Sequence, residues 1–171
     1  MEYRKLKRGG ENISILGLGS SSIGAAGDYE IERTVTYALE NGVNYFDMAS
    51  ADAAPFAAYG RAVLKQRSNV YLQIHFGAEY ESGKYGWTLD LEKIKRSVDW
   101  QLTNLKTDYI DFGFIHCIDE TADLKAFKAH GTLDYLQQLK KDGVVRHIGL
   151  SSHTPEIVHK YLDTDLIDMV M

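Results

Sequence analysis

The sequence has little cysteine, no excess of positive charge and no long apolar run, and each shortage excludes a class of protein. Its only cysteine among 171 residues, Cys117, excludes an internal disulfide and a four-cysteine zinc or iron–sulfur site within the chain. Lys and Arg number 19 against 24 Asp and Glu, a net charge of −5, so we expect no nucleic acid or membrane partner. No apolar run reaches the ~18 residues that span a bilayer. The start, MEYRKLKRGG, has no signal-peptide core, which favours a cytoplasmic location.

The remaining composition is that of an ordinary globular protein. Apolar residues make up 44% of the chain and charged residues 25%. The length suits one domain, and with two prolines and no Pro-, Gly- or Ser-rich linker we expect a single domain over residues 1–171.

Short β-branched or aromatic runs alternate with longer segments of helical period. The predicted strands span residues 13–21, 44–48, 70–76, 109–115, 145–150 and 166–171, and predicted helices span 30–41, 55–65, 90–105, 132–141 and 155–162. Several of the runs are almost continuously apolar, as in a parallel sheet covered on both faces. The order therefore predicts an α/β fold with right-handed crossovers, and the residues around Gly9 and Gly10 predict a small N-terminal β-hairpin.

Polar side chains follow the predicted strands at the ends where parallel α/β folds place reactive groups. In chain order they are Ser20, Ser21, Ser22, Asp47, His75, His116, Ser151, Ser152 and His153. Together with Tyr59, in the run AAYGRAV, the carboxylate and two of the imidazoles could transfer a proton. Each residue alone also fits a structural role: a turn aspartate, hydrogen-bonded rim histidines, a packed tyrosine.

Other common cofactor motifs are missing. Gly17-Leu18-Gly19 lacks the third glycine of a Rossmann turn, and there is no P-loop. His75, His116 and His153 could in principle bind zinc or iron, but no HxxxH or HxH spacing supports such a site, so we expect no metal.

Five motifs in order resemble the aldo-keto reductases. LGLGSSSIG is similar to the first strand and turn of that family, NYFDMAS to the second strand, AAYGRAV to the segment that carries its tyrosine, FGFIHCID to the fourth strand, and HIGLSSH to the stretch that binds the nicotinamide carboxamide. The resemblance runs from Tyr3 to Met171. It implies a parallel (β/α)₈ TIM-type barrel, of which 171 residues supply about five and a half units, although length alone favours an open doubly wound sheet.

The resemblance also implies a reaction and roles in it. NADP(H), or less often NAD(H), reduces a small aldehyde or ketone, Tyr59 donates the proton, and His116 orients the carbonyl. Asp47 belongs to the catalytic group and to the cofactor site. The other predicted cofactor contacts are Gly19, Ser20, Ser21, Ser151 and Ser152.

The sequence departs from the family where the third strand ends. His75 stands where the family has a lysine beside its tyrosine, and Ser152 stands where it often has asparagine. An imidazole, with an ordinary pKa of about 6.5, is mostly uncharged at neutral pH unless Asp47 raises that value. Either Asp47 and a protonated His75 replace the lysine, with activity that falls at alkaline pH, or reduction of ordinary aldehydes is lost.

Two alternatives therefore stay open. The barrel could bind a nicotinamide nucleotide with little or no catalysis, and in the full-length protein an iron–sulfur module could follow it. Unpaired strand edges near Ile15 and Met169 predict self-association. Tyr80, Tyr85 and Trp87 could line an apolar substrate entrance or only pack their loop down.

Overall fold

The structure, a computed structural model, describes residues 1–162 and 166–171. In these residues the strands are β1 Tyr3–Lys5, β2 Asn12–Ser14, β3 Leu18–Gly19, β4 Tyr45–Asp47, β5 Tyr71–Phe76, β6 Ala78–Glu79, β7 Gly86–Trp87, β8 Ile110–Ile115, β9 Val145–Leu150 and β10 Met169–Val170. The helices are α1 Asp28–Glu40, α2 Ala54–Val63, α3 Leu91–Leu105, α4 Thr121–Ala129, α5 Thr132–Lys141 and α6 Pro155–Leu162, and a 3₁₀ segment, Leu64–Asn69, follows α2. None of these helices has the length and apolarity to cross a bilayer.

Six strands form one sheet in the order β10-β9-β8-β5-β4-β3, and every neighbouring pair is parallel. With helices between successive strands, this is about half of a (β/α)₈ barrel, which confirms the predicted fold class. The predicted N-terminal hairpin is also confirmed, since β1 and β2 pair antiparallel. The outermost strands of the described sheet are β3 and β10, so self-association through these edges stays a prediction.

Three details differ from the sequence prediction. The first predicted strand, 13–21, is divided, because its start pairs with β1 and only Leu18–Gly19 joins the parallel sheet. The Ser14 amide donates to the Asn44 side chain at 2.8 Å, which takes the chain out of the hairpin before β3 begins. Helix α4 and the antiparallel β6–β7 hairpin were not predicted at all.

Apolar side chains between the sheet and the helices hold the helices in place. Helix α3 begins at Asp90, whose carboxylate accepts a hydrogen bond from the Lys93 amide at 2.9 Å, and it buries Ile94 and Val98. Helix α2 packs closely against the end of α3 at Gly60, where an added Cβ would lie 2.5 Å from the Asn104 carbonyl oxygen.

A buried carboxylate ties the amino-terminal ends of three strands together. Asp111, on β8, is fully buried and accepts hydrogen bonds from the Leu72 amide at 3.0 Å and from the Arg146 guanidinium at 2.9 Å. The Arg67 guanidinium lies 2.9 Å from the same carboxylate. This cluster fixes the end of the sheet opposite to the candidate site.

Candidate active site

Asp47, His75 and His116 lie at the carboxyl ends of β4, β5 and β8, three strands that are adjacent in the sheet. His75 Nε2 lies 2.7 Å from Asp47 Oδ1, and the His75 side chain is only 3% exposed against 22% for Asp47. His116 Nδ1 lies 3.0 Å from His75 Nδ1. The structure thus brings three predicted site residues into one hydrogen-bonded chain.

A glutamine that the sequence analysis did not single out positions the carboxylate. Gln73 is fully buried, and its Nε2 donates to Asp47 Oδ1 at 3.0 Å while its Oε1 accepts from the Tyr45 hydroxyl. The available signal was a polar residue inside the otherwise apolar run VYLQIHF. Both ends of the Gln73 amide therefore have partners, as a buried polar group requires.

The β6–β7 hairpin adds Tyr85 to the outer end of this chain. The Tyr85 hydroxyl lies 3.0 Å from His116 Nε2, and the residue is 42% exposed. Of the other two hairpin aromatics, Tyr80 is buried and its hydroxyl accepts from the Ser50 amide at 3.3 Å, whereas the Trp87 indole donates to the His116 carbonyl at 3.2 Å. Tyr80 therefore packs the loop, and Tyr85 faces the site.

Burial is the main reason why His116 is neutral and Tyr85 is protonated near neutral pH. Burial, with a smaller contribution from nearby His75, lowers the pKa of His116 to about 4. Burial also raises the pKa of the Tyr85 phenol, and the neighbouring Cys117 adds to that effect. The site at pH 7 thus holds an uncharged imidazole beside a phenol that has kept its proton.

The predicted proton donor Tyr59 lies apart from this chain. It is 0% exposed on α2, it packs edge-on against Phe46 at 6.1 Å, and its hydroxyl donates to the Gly19 carbonyl at 3.2 Å. No hydrogen bond among the described residues joins it to His75 or His116. Burial, and next the Asp47 charge, raise its pKa, which is opposite to the lowering that a neighbouring cation would give.

The predicted cofactor-binding residues differ in whether their polar groups already have hydrogen-bond partners within the described residues. The Ser151 hydroxyl donates to the Ile115 carbonyl at 3.2 Å, and the Ser152 hydroxyl donates to the Ile118 carbonyl at 2.7 Å, so both are engaged within the chain. Ser20 Oγ is buried and has no hydrogen-bond partner in the described residues. At the neighbouring Gly19, an added Cβ would meet nothing within 4 Å, and Ser21 is exposed.

The third histidine of the rim does not join the other two. His153 is exposed, and its Nδ1 lies 2.8 Å from the Asp119 carboxylate. Within residues 1–162 and 166–171, no group of three or more His, Cys, Asp or Glu side chains is arranged to hold a metal ion.

Comparison with known proteins decides the family. The family model described as the aldo/keto reductase family matches residues 15–171. The chain belongs to the aldo/keto reductase family. The resemblance carried by the five sequence motifs is thereby confirmed, and the family is one of oxidoreductases.

Several relatives within the aldo/keto reductase family illustrate the match. The chain is 32% identical over 177 aligned residues to the uncharacterized oxidoreductase YqkF of Bacillus subtilis, covering 100% of this chain and 55% of that protein. It is 27% identical over 172 residues to L-galactose dehydrogenase of Arabidopsis thaliana, covering 95% of this chain and 52% of that enzyme. Among solved structures, the holo form of aldo-keto reductase AKR11C1 from Bacillus halodurans superimposes with a TM-score of 0.82 at 29% identity, covering 100% of this chain and 57% of that one. The chain thus spans about half the length of the relatives it matches.

Proposed function

We propose that the protein containing this chain reduces a small aldehyde or ketone with a nicotinamide nucleotide, NADP(H) or NAD(H), in the cytoplasm. The observation that carries the proposal is the hydrogen-bonded chain from Asp47 through His75 to His116 at the carboxyl ends of three adjacent strands. Active sites of parallel barrels are built at this end of the strands. Membership of an oxidoreductase family supports the same reading.

Groups at the mouth of the site fit a polar ligand such as the nucleotide. Ser20 Oγ is buried without a partner in the described residues, and Asp47 Oδ2 accepts no hydrogen bond there, because the partners of that carboxylate bind Oδ1. Gly19 leaves open space beside them. These three residues would hold the nucleotide near its nicotinamide end, with Ser21 at the exposed side. When bound, a reduced nicotinamide supplies hydride to a carbonyl carbon.

The hydrogen-bonded residues Asp47, His75 and His116 would then stabilise charge and position protons near the carbonyl oxygen. Gln73 and His75 hold the Asp47 carboxylate in one orientation, and His75 in turn fixes the ring of His116. An uncharged His116, with its low pKa, contacts the Tyr85 hydroxyl through Nε2, and this neutral pair would lie near the carbonyl oxygen, where negative charge develops. The assignment of proton donation to Tyr59 has no such support, because its hydroxyl is already bound to a backbone carbonyl.

The alternative is a barrel that binds the nucleotide without turnover. What favours it is the sequence departure at His75, since an imidazole replaces the lysine that the family resemblance leads us to expect. The two proposals share the nucleotide and differ in whether hydride leaves it.

One experiment separates these proposals in the full-length protein. NADPH and NADH binding is measured by fluorescence, and turnover by loss of NADPH absorbance with a reactive aldehyde such as 4-nitrobenzaldehyde. The reductase proposal predicts turnover that His116→Asn lowers by about 10²-fold or more. The matched control His130→Asn alters an exposed histidine whose Nδ1 lies 3.0 Å from the Leu89 carbonyl oxygen, and we expect unchanged turnover. Tight nucleotide binding without turnover of any aldehyde would establish the alternative.

A further inference from the structure

We infer that Tyr85, on the β6–β7 hairpin, is the residue that protonates the carbonyl oxygen, supplied with protons by the chain Asp47–His75–His116. The inference rests on the proposed reductase function and names a further catalytic residue for it. Three observations carry it: the contact of the Tyr85 hydroxyl with His116, the exposure of Tyr85, and the anchoring of the hairpin that carries it.

Exposure distinguishes the two tyrosines. A general acid must reach the reacting oxygen directly or through one water. Tyr85 is 42% exposed, and among the described residues its hydroxyl has its hydrogen-bond contact with His116, whereas Tyr59 is 0% exposed and would have to leave the Gly19 carbonyl first. Tyr85 is therefore the tyrosine that a substrate can touch.

The hairpin is held over the site by contacts with the segment that follows β4. The Tyr85 amide donates to the Ala51 carbonyl at 3.0 Å, and the Ala53 amide donates to the Gly83 carbonyl at 3.1 Å. The Lys84 ammonium forms an ion pair with Asp52 in the same place. These bonds fix the position of the phenol relative to the strand ends, as a proton donor requires.

The contacts allow two proton arrangements, and one of them prepares Tyr85 to donate. In the first, His116 Nδ1–H donates to His75 Nδ1, and the Tyr85 hydroxyl donates to His116 Nε2. In the second, His75 carries a proton on both nitrogens and donates to Asp47 Oδ1 and to His116 Nδ1, while His116 Nε2–H donates to the Tyr85 oxygen. Only the second arrangement leaves the Tyr85 proton free to point toward a substrate.

The proton transfers balance from this second arrangement. As hydride adds to the carbonyl carbon, the C=O π bond breaks toward oxygen, and that oxygen takes the proton of Tyr85. The phenolate takes the Nε2 proton of His116, and His116 Nδ1 takes the Nδ1 proton of His75. His75 is left neutral, still donating to Asp47, and regains its proton from water before the next turnover. The carbonyl would thus be reduced at the expense of the hydride donor, and one proton would be consumed.

The charged groups around this path set its pH dependence. His116 is surrounded by His75, Asp47, Asp119 and His153. The titratable neighbours of Tyr85 are Cys117, His116 and Tyr80. The Cys117 sulfur lies 3.6 Å from His116 Nε2, and burial raises the pKa of this thiol, so it keeps its proton at neutral pH. Activity should accordingly fall on the alkaline side, where the path loses protons.

The test compares tyrosine variants in the full-length protein, using NADPH and 4-nitrobenzaldehyde. Tyr85→Phe should lower kcat by about 10²-fold or more with the KM and the NADPH Kd little changed, because the lost proton transfer takes place only as the carbonyl is reduced. Tyr59→Phe should lower kcat much less. Tyr37→Phe, at an exposed tyrosine on α1, is the matched control and should have no effect.

A second substitution covers the case in which Tyr85→Phe does not fold. Ring-fluorinated tyrosine at position 85 keeps the phenol but makes it a stronger acid, so kcat measured at one pH below the alkaline limb should rise, whereas ring-fluorinated tyrosine at position 59 should leave kcat unchanged. An unchanged kcat with fluorinated tyrosine at position 85, or a Tyr85→Phe variant that keeps its kcat while Tyr59→Phe loses it, overturns the assignment and leaves the reductase proposal intact. Nucleotide binding without turnover by the unsubstituted protein overturns both.

Discussion

Acidification should destabilise the protein through the buried imidazole of His116. The folded protein binds a proton at this imidazole only with a pKa of about 4, whereas the unfolded chain binds it near 6.5. Above pH 6.5 both states are neutral at this residue and stability is unaffected. As pH falls from 6.5 toward 4, the unfolded chain takes up the proton and the folded protein does not, so folding becomes less favourable.

The size of the effect follows from the two pKa values. At about 1.36 kcal/mol for each pKa unit, the difference between 6.5 and about 4 is about 3 kcal/mol, reached below pH 4. About 2 kcal/mol of this is lost by pH 5. Glu11 and Asp119, whose pKa values are lowered in the folded protein by their histidine partners, lose their contributions only at still lower pH.

Urea unfolding followed by tryptophan fluorescence measures this loss. The free energy of unfolding of the unsubstituted protein should drop between pH 7 and pH 5 by about 2 kcal/mol more than that of His116→Asn, which has no proton to bind at this position. If the two proteins show parallel dependence on pH, then His116 is not held neutral by its surroundings, and the roles built on its neutrality fail with it.

Three further substitutions test the fold and the site. Asp111→Ala should cost about 3–5 kcal/mol of unfolding free energy in urea, since it leaves the 89% buried Arg67 side chain without its carboxylate. Gly60→Ala should cost about 1–3 kcal/mol by the same assay, because its Cβ would lie 2.5 Å from the Asn104 carbonyl oxygen. His75→Lys should move the alkaline limb of kcat to higher pH, because an ammonium keeps its proton where an imidazole has lost it.

Matched substitutions give each result its meaning. Glu92→Gln removes an exposed ion pair with Lys95 and should change stability by less than about 1 kcal/mol. Gly27→Ala places a Cβ in open space and should be tolerated. The argument for the buried cluster fails if Asp111→Ala lowers the unfolding free energy no more than Glu92→Gln does. The argument for close helix packing fails if Gly60→Ala is as stable as the unsubstituted protein. The argument for His75 fails if His75→Lys leaves the alkaline limb of kcat where it was.

The sequence predicted the parts of the fold that depend on local pattern. Helix α3 is an example, because its N-cap and its apolar stripe lie within sixteen residues of one another and need no distant partner. Adjacent parallel strands then bring Asp47, His75 and His116 together, since all three follow strands at the same end. The site residues on strands were therefore within reach of sequence reasoning.

The helix that carries Tyr59 also shows a spacing that favours a packing role for this tyrosine. Phe56, Tyr59, Gly60 and Val63 have the i, i+3, i+4, i+7 spacing of a core-facing helix stripe, and all four are buried. That spacing favours a packed tyrosine at position 59, and the catalytic role of Tyr59 stays a prediction. Tyr85, by contrast, lies beside a two-residue strand whose position depends on backbone hydrogen bonds to Ala51 and Ala53. A strand this short has no periodic pattern from which the hairpin could be predicted.

Strand register places the two imidazoles of the proposed proton path on the same face of the sheet. Asp47 pairs with Gln73, and His75 pairs with Phe114. His75 lies two residues after Gln73, and His116 lies two residues after Phe114. Because side chains alternate along a strand, His75 and His116 therefore point to the same face of the sheet. Ile74 and Ile115 point to the other face and are fully buried there. A shift of the strand register by one residue would exchange the two faces. The isoleucines would then leave the apolar core, and an imidazole would point into it. The same burial that stabilises the sheet therefore holds the two imidazoles in line.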